Sequence, residues 1–263
     1  MRIQLMLAAA MAVLPLSSAR AVYSITIEAP GIQNSTARFA TVGVESFNSR
    51  TAGTNQIFSS NFGGSAFNGT YSRVQVINAD QFGGAGGSGR YVVQFGTPGF
   101  TLDLTSSRPG GVTYFGFWLS ALDNGNTVRF FQNSTQLFTF DARVLRNFVN
   151  AQPNASAYRC NPNAPANRNC GEPYAFLNFY AHSGTSFDRI VFDQVTSGGY
   201  ESDNHTVGRW LQPGGTWVPH GASVSPAGIT PNAIPEPAAW MMLLAGFGLV
   251  GAISRRRTSA ISV

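Results

Sequence analysis

The stretch Val112-Thr113-Tyr114-Phe115-Gly116-Phe117-Trp118-Leu119-Ser120-Ala121-Leu122 runs into Asp123-Asn124-Gly125-Asn126, then into Thr127-Val128-Arg129-Phe130-Phe131-Gln132. An apolar run of strand length, rich in aromatics and closed off by turn residues, predicts a buried β-strand. Side chains alternate across a strand, so Tyr114, Gly116 and Trp118 share one face while Phe115 and Phe117 share the other. Asn124-Gly125 is a tight-turn pair, because both residues accept the left-handed backbone of a two-residue hairpin. The reading is a strand over Val112–Leu122, a hairpin turn, and a second strand over Thr127–Gln132.

The same pattern continues outward. Val22–Glu28, Tyr71–Ile77, Arg90–Phe95, Phe100–Leu104, Gln136–Phe140, Tyr174–Ala181, Phe187–Val195 and Tyr200–Val207 are apolar or alternating runs bounded by Gly, Asn, Pro or Ser. Ala142–Asn150 is the one short helix candidate. Ten strands without a long amphipathic helix imply an all-β domain, a jelly-roll-like β-sandwich over residues 22–208. Residues 209–234 are dense in Pro, Gly and Ser and read as an extended linker, with Trp210, Leu211 and Trp217 packing on the domain edge.

The two ends carry targeting patterns. Arg2, the apolar Ile3 to Leu16 and the small-x-small Ala19-Arg20-Ala21 predict a signal peptide over residues 1–21, cut by signal peptidase. Near the other end Pro235-Glu236-Pro237 precedes an apolar run of sixteen residues, Ala238 to Ile253, and then Arg255-Arg256-Arg257. Sixteen residues make roughly 24 Å of helix, at the short limit for crossing a bilayer. The arginines place residues 258–263 in the cytoplasm and the body outside.

That ending, with Trp240, Met242-Leu243-Leu244-Ala245-Gly246, Gly248, Gly251 and the Arg cluster, resembles the PEP-CTERM sorting signal of Gram-negative bacteria. The resemblance covers residues 235–257. It implies recognition by an exosortase, a membrane-embedded enzyme similar to cysteine proteases, after a transient inner-membrane anchor. The implied destination is the cell surface or extracellular matrix. A second resemblance lies in the body. Tyr114 to Trp118, Ser120, Asp123, Asn126, Phe130-Phe131, Asn161-Pro162-Asn163, Gly171 to Phe179 and Glu201-Ser202-Asp203-Asn204 look like a recurring block of exosortase-dependent surface proteins. The chain departs from that block at Leu119 and in its cysteine pair.

The chain holds seventeen Arg, no Lys and twelve acids. Without the five Arg and one Glu of the two ends, twelve Arg face eleven acids. The high isoelectric point thus belongs to the targeting segments, and nucleic acid is not an expected partner. Absence of Lys excludes a Walker lysine, a Schiff base and a lysine general base. Cys160 and Cys170 are expected to pair as a disulfide in an exported protein.

Several local patterns compete for a site. Gly84-Ala85-Gly86-Gly87-Ser88-Gly89 has dinucleotide-binding spacing, but a strand follows it instead of the required helix, which leaves a flexible glycine loop. His182, His205 and His220 have no ligand spacing. Asp123, Asn124 and Asn126, with Glu201, Asp203 and Asn204, offer oxygens for a calcium ion or another ligand, although such residues also serve as turn formers. Carboxylates among Asp123, Glu172, Glu201 and Asp203 are the candidates for acid–base chemistry, without a motif that selects two. Tyr114 and Trp118 are the candidates for stacking on sugars if their face is exposed.

No catalytic residue is assigned and no cofactor is expected apart from that calcium. The expected function is a non-catalytic module that binds polysaccharide or cell-surface components. A carboxylate-dependent polysaccharide hydrolase or lyase is one alternative, and a self-associating matrix subunit another.

Overall fold

Strands that pair into one antiparallel sheet account for most of the body. The computed structural model describes residues 23–160, 169–182, 184–196, 198–210, 221–224 and 229–231. The signal-peptide segment, Leu211, Trp217, His220, the Pro235-Glu236-Pro237 motif, the apolar run and Arg255 to Arg257 lie outside the described residues.

In chain order the elements are β1 (Tyr23–Ile27), β2 (Phe39–Glu45), β3 (Gly53–Ser60), β4 (Phe67–Asn78), β5 (Arg90–Gln94), β6 (Phe100–Ser106), β7 (Tyr114–Ser120) and β8 (Asn126–Gln132). They continue with β9 (Thr135–Asp141), α1 (Ala142–Asn150), β10 (Ala175–Ala181), β11 (Arg189–Gln194), β12 (Tyr200–Trp210), β13 (Ala222–Ser223) and β14 (Ile229–Pro231). The spatial order is β13-β1-β10-β7-β12-β5-β4-β6-β11-β8-β9-β14, with β2 added to β12 and β3 to β4. The sheet curls so that β1, β10 and β7 face β11, β8 and β9, as the all-β jelly-roll-like reading expects. Tyr23 of β1 donates from its hydroxyl to the Leu137 carbonyl of β9 at 2.9 Å and ties the two limbs together.

The space between the limbs is filled with aromatic rings. Phe115 and Phe117 of β7 meet Phe192 of β11, and Phe179 of β10 meets Phe130 of β8 with ring centres 4.7 Å apart. Such pairs add roughly 0.5–1.5 kcal/mol each beyond the area they bury. His205 sits among these rings, fully buried. Its two ring nitrogens face the Tyr71 hydroxyl at 3.1 Å and the Ser202 hydroxyl at 3.0 Å. Burial holds its pKa down to about 3, so it is a neutral core residue.

Three expectations need correction. Asn124-Gly125 is a turn, with Gly125 at φ 93°, but not a hairpin. It carries the chain across the core, because β7 pairs with β10 and β12 while β8 pairs with β9 and β11. The two-residue hairpin is Asn133-Ser134 between β8 and β9, where φ is 51° and 65°, positive at both residues as a type I′ turn requires. The strand β12 runs on to Trp210, which packs on the domain edge as the sequence reading expects, its indole nitrogen donating to the Ala181 carbonyl. The segment read as an extended linker contributes two short strands, β13 against β1 and β14 against β9. Finally, β2 and β3 are strands that the sequence reading does not contain. Each pairs on one side only, and their exposed Val42, Val44 and Ile57 give no core pattern. The helix Ala142–Asn150 stands where expected, capped by Asp141 and burying Ala142, Leu145 and Val149.

Candidate acidic cleft

The site begins with a parity change in β12. Glu201 and Asp203 lie opposite Ser120 and Trp118 of β7, on the outer face, away from the aromatic core. A bulge then shifts the register between Asp203 and Thr206, with Asn204 at φ 49°. His205 and Val207 consequently point inward. Without the bulge, the carboxylates and the core residues of this strand would compete for one face.

Around Glu201 the loops at one end of the sheet converge on an open cleft of about 490 Å³. Asp80, Phe82 and Tyr91 come from the β4–β5 side, Phe95 from the end of β5, Asp123 from the β7–β8 turn, Glu172 from the segment before β10, and Gly198-Gly199 from the β11–β12 turn. The glycines are there for space. A β-carbon on Gly198 would stand 2.4 Å from Asp123 Oδ2, and one on Gly199 would stand 1.9 Å from Glu201 Oε1.

The carboxyls interact. Asp123 is pushed up to about 7 by burial, by a hydrogen bond with the Glu172 carboxyl and by that group's charge, with Arg146 of α1 opposing. Two carboxyls bond directly only when one carries a proton. Glu201 is pushed up to about 8, first by burial and then by Asp123, Glu172 and Asp80. Its Oε2 is buried without a hydrogen-bond partner. Asp80 accepts from the Tyr91 hydroxyl at 3.1 Å and from the Phe82 and Gly83 amides. Burial, and then the charge of Asp80, raises the Tyr91 phenol well above its ordinary value.

Glu172 is held by the disulfide loop. Cys160 and Cys170 are bonded, as the sequence predicts. Next to Cys170, Asn169 donates from its side chain to Glu172 and from its amide to the Gln81 carbonyl. The bridge closes a separation of ten residues, for which loop entropy gives about 2–3 kcal/mol. A Cys160→Ser/Cys170→Ser protein is therefore expected to unfold in urea with a free energy lower by about that amount. An unchanged midpoint would show that the bridge constrains nothing.

The other sequence candidates are structural. Asn126 is buried in β8 and accepts from Gln194, and Asn124 offers its carbonyl to the Thr196 hydroxyl. Asn204 forms the bulge and donates to the Gln33 carbonyl. Asp203 is buried and accepts from the Ala85 and Asn204 amides, while burial raises it to about 7. Of the six residues offered for calcium, Asp123 and Glu201 line the cleft and the other four are engaged elsewhere. Among the described residues no group of three His, Cys, Asp or Glu is arranged to hold a metal ion. The glycine loop is not loose. Gly83 lies directly against the Tyr91 ring, and Ala85 packs over Trp118 and Tyr174.

Tyr114 and Trp118 share a face as alternation predicts, but that face is covered and both are fully buried. Tyr114 lies across Gly116 and donates to Asn178 Oδ1 at 2.6 Å. Trp118 stacks near Tyr174 beneath the glycine loop. Neither can meet a sugar. Among the described residues the exposed rings are Phe82 at 41 % and Phe95 at 58 %, both lining the cleft. Sequence reasoning missed them, together with Asp80. A Phe among polar and glycine residues, as in Asp80-Gln81-Phe82-Gly83, was the available signal.

A family model described as the PEP-CTERM protein-sorting motif matches residues 233–257. The chain carries a PEP-CTERM sorting signal. The motif marks it for export, for transient membrane anchoring and for recognition by an exosortase before processing. No curated protein matches the chain. The sorting signal, at residues 233–257, and the residues that line the cleft lie in separate parts of the sequence.

Proposed function

We propose that this exported PEP-CTERM protein is a glycan-binding surface module whose ligand sits in the acidic cleft. The observation that carries the reading is a pair of exposed phenylalanines, Phe82 and Phe95, lining a cleft that also holds four carboxyl groups. Pyranose rings present apolar C–H faces that pack on aromatic rings, while their hydroxyls hydrogen-bond to carboxyls. Both kinds of group meet here and nothing fills the cleft from within the described residues.

Phe82→Ala and Phe95→Ala are each expected to weaken oligosaccharide binding about 5- to 10-fold, roughly 1–1.4 kcal/mol. Both rings are partly exposed, so unfolding should change little. Titration calorimetry on the exported protein, with oligosaccharides chosen from a glycan array, measures this. Equal affinity in both variants would remove the cleft as the binding site.

A second reading is supported by the Asp123–Glu172 contact with Glu201 alongside. Burial keeps the Glu201 carboxyl protonated near neutral pH, as a general acid requires. New reducing ends or unsaturated ends in the same titrations would favour a hydrolase or lyase over a binding module.

A further inference from the structure

We infer that the cleft selects glycans bearing free amino groups, such as runs of deacetylated hexosamine, over neutral or acidic glycans. This rests on the glycan-binding reading and names the ligand class for the same cleft.

Charge and desolvation together point to an ammonium group. Four carboxyls line the cleft: Asp80 from the β4–β5 loop, Asp123 from the β7–β8 turn, Glu172 beside the disulfide, and Glu201 from β12. Among the described residues the other titratable groups near them are the Tyr91 and Tyr174 phenols, Arg146 of α1, and Arg159, which donates to the Gly171 carbonyl beside Glu172. The described lining thus holds four acids and no basic side chain in a concave site with apolar walls, a shape that focuses negative potential. A uronic acid or sulfated sugar would meet repulsion and would leave its own charge unpaired.

Glu201 adds an independent argument. It is 6 % exposed and lines the cleft, yet its Oε2 has no hydrogen-bond partner. A buried acceptor without a donor is costly, and an ammonium supplies three donors and the opposite charge. Phe82 and Phe95 fit the same ligand. An aromatic face attracts a cation and also accepts the C–H face of the ring that carries it. The raised carboxyls agree with this, since an incoming cation favours their ionised form and binding then expels protons into solution.

The test compares a fully deacetylated glucosamine hexamer with the N-acetylglucosamine hexamer on the exported protein at pH 6.5. Calorimetry is run in phosphate and in a buffer of higher ionisation enthalpy. The expected result is at least tenfold tighter binding of the amino form, with proton release that the N-acetyl form does not show. A protein with Asp123→Asn and Glu172→Gln should bind the two hexamers within about threefold of each other. Its binding of the N-acetyl form reports that it is folded. Equal or tighter binding of the N-acetyl form by the unaltered protein would overturn the amino-group selectivity and leave the glycan-binding reading standing. Failure of both hexamers to bind, with other oligosaccharides also silent, would overturn both.

Discussion

Trp118→Ala is expected to lower the unfolding free energy by about 3–5 kcal/mol, the cost of removing a large ring from a closed core. The folded fraction should still bind glycan within about twofold of the unaltered protein. Trp118 is fully buried against Ala121, Tyr174 and Phe176, with Ala85 packed over the group. The hole left behind cannot collapse easily, because strands on both sides fix the positions of Phe176 and Asp203 opposite it. Urea unfolding followed by far-ultraviolet circular dichroism gives the stability, and calorimetry gives the affinity. A loss of less than about 1 kcal/mol with a tenfold loss of affinity would mean that the ring is an exposed binding platform after all.

Trp118 also shows where legibility stopped. Alternation along Tyr114 to Trp118 sorts the side chains between two faces, and the structure keeps that sorting. Which face meets water is decided elsewhere. The outer face is covered near Tyr114 by Ser35, Ala37 and Phe39, and near Trp118 by the glycine loop. Those covers have no periodic pattern and give no strand or helix signal. The Asn124-Gly125 turn illustrates a related limit. Its chemistry says that the chain reverses, and is silent on whether the flanking strands pair. Here they belong to opposite limbs, and Asp123 is thereby delivered to the cleft.

The carboxyls follow the same logic. Asp123, Glu172 and Glu201 can each be singled out in sequence, but 78 positions separate the first from the last. Only the crossing from β7 to β8, the disulfide loop and the β11–β12 turn bring them together. Asp203, two residues from Glu201, has the same side-chain type and the same strand face, yet serves the glycine loop. Proximity in sequence overstated the likeness of the last two. Distance in sequence hid the contact between Asp123 and Glu172. The sorting signal was legible throughout because it is read as a linear motif and needs no tertiary assembly.

Glu201→Gln is expected to stabilise the protein at pH 8.5 and to weaken ligand binding at the same time. The Glu201 carboxyl is pushed up to about 8 from an ordinary 4.5 by burial and by three neighbouring acids. The folded state therefore holds a proton that the unfolded chain releases near pH 4.5. This group favours folding fully at low pH, and its contribution is lost as pH rises from about 4.5 through about 8. Asp203, raised to about 7, acts in the same direction. A tenfold change in proton affinity between the folded and unfolded chain is worth about 1.4 kcal/mol, and water entry reduces the sum, so about 2–4 kcal/mol is expected for Glu201. Gln has the same shape and does not ionise. The Glu201→Gln protein should match the unaltered one at pH 4.5 and exceed it by that amount at pH 8.5, measured by urea unfolding at both values. Equal stability at both would show that Glu201 ionises freely in the folded state. Binding of the glucosamine hexamer should fall at least tenfold in the same variant. A purely structural residue would not move the two quantities in opposite directions. A carboxyl that costs stability at neutral pH, in a cleft opened by two glycines and flanked by exposed rings, is what a binding site built for a positively charged ligand requires.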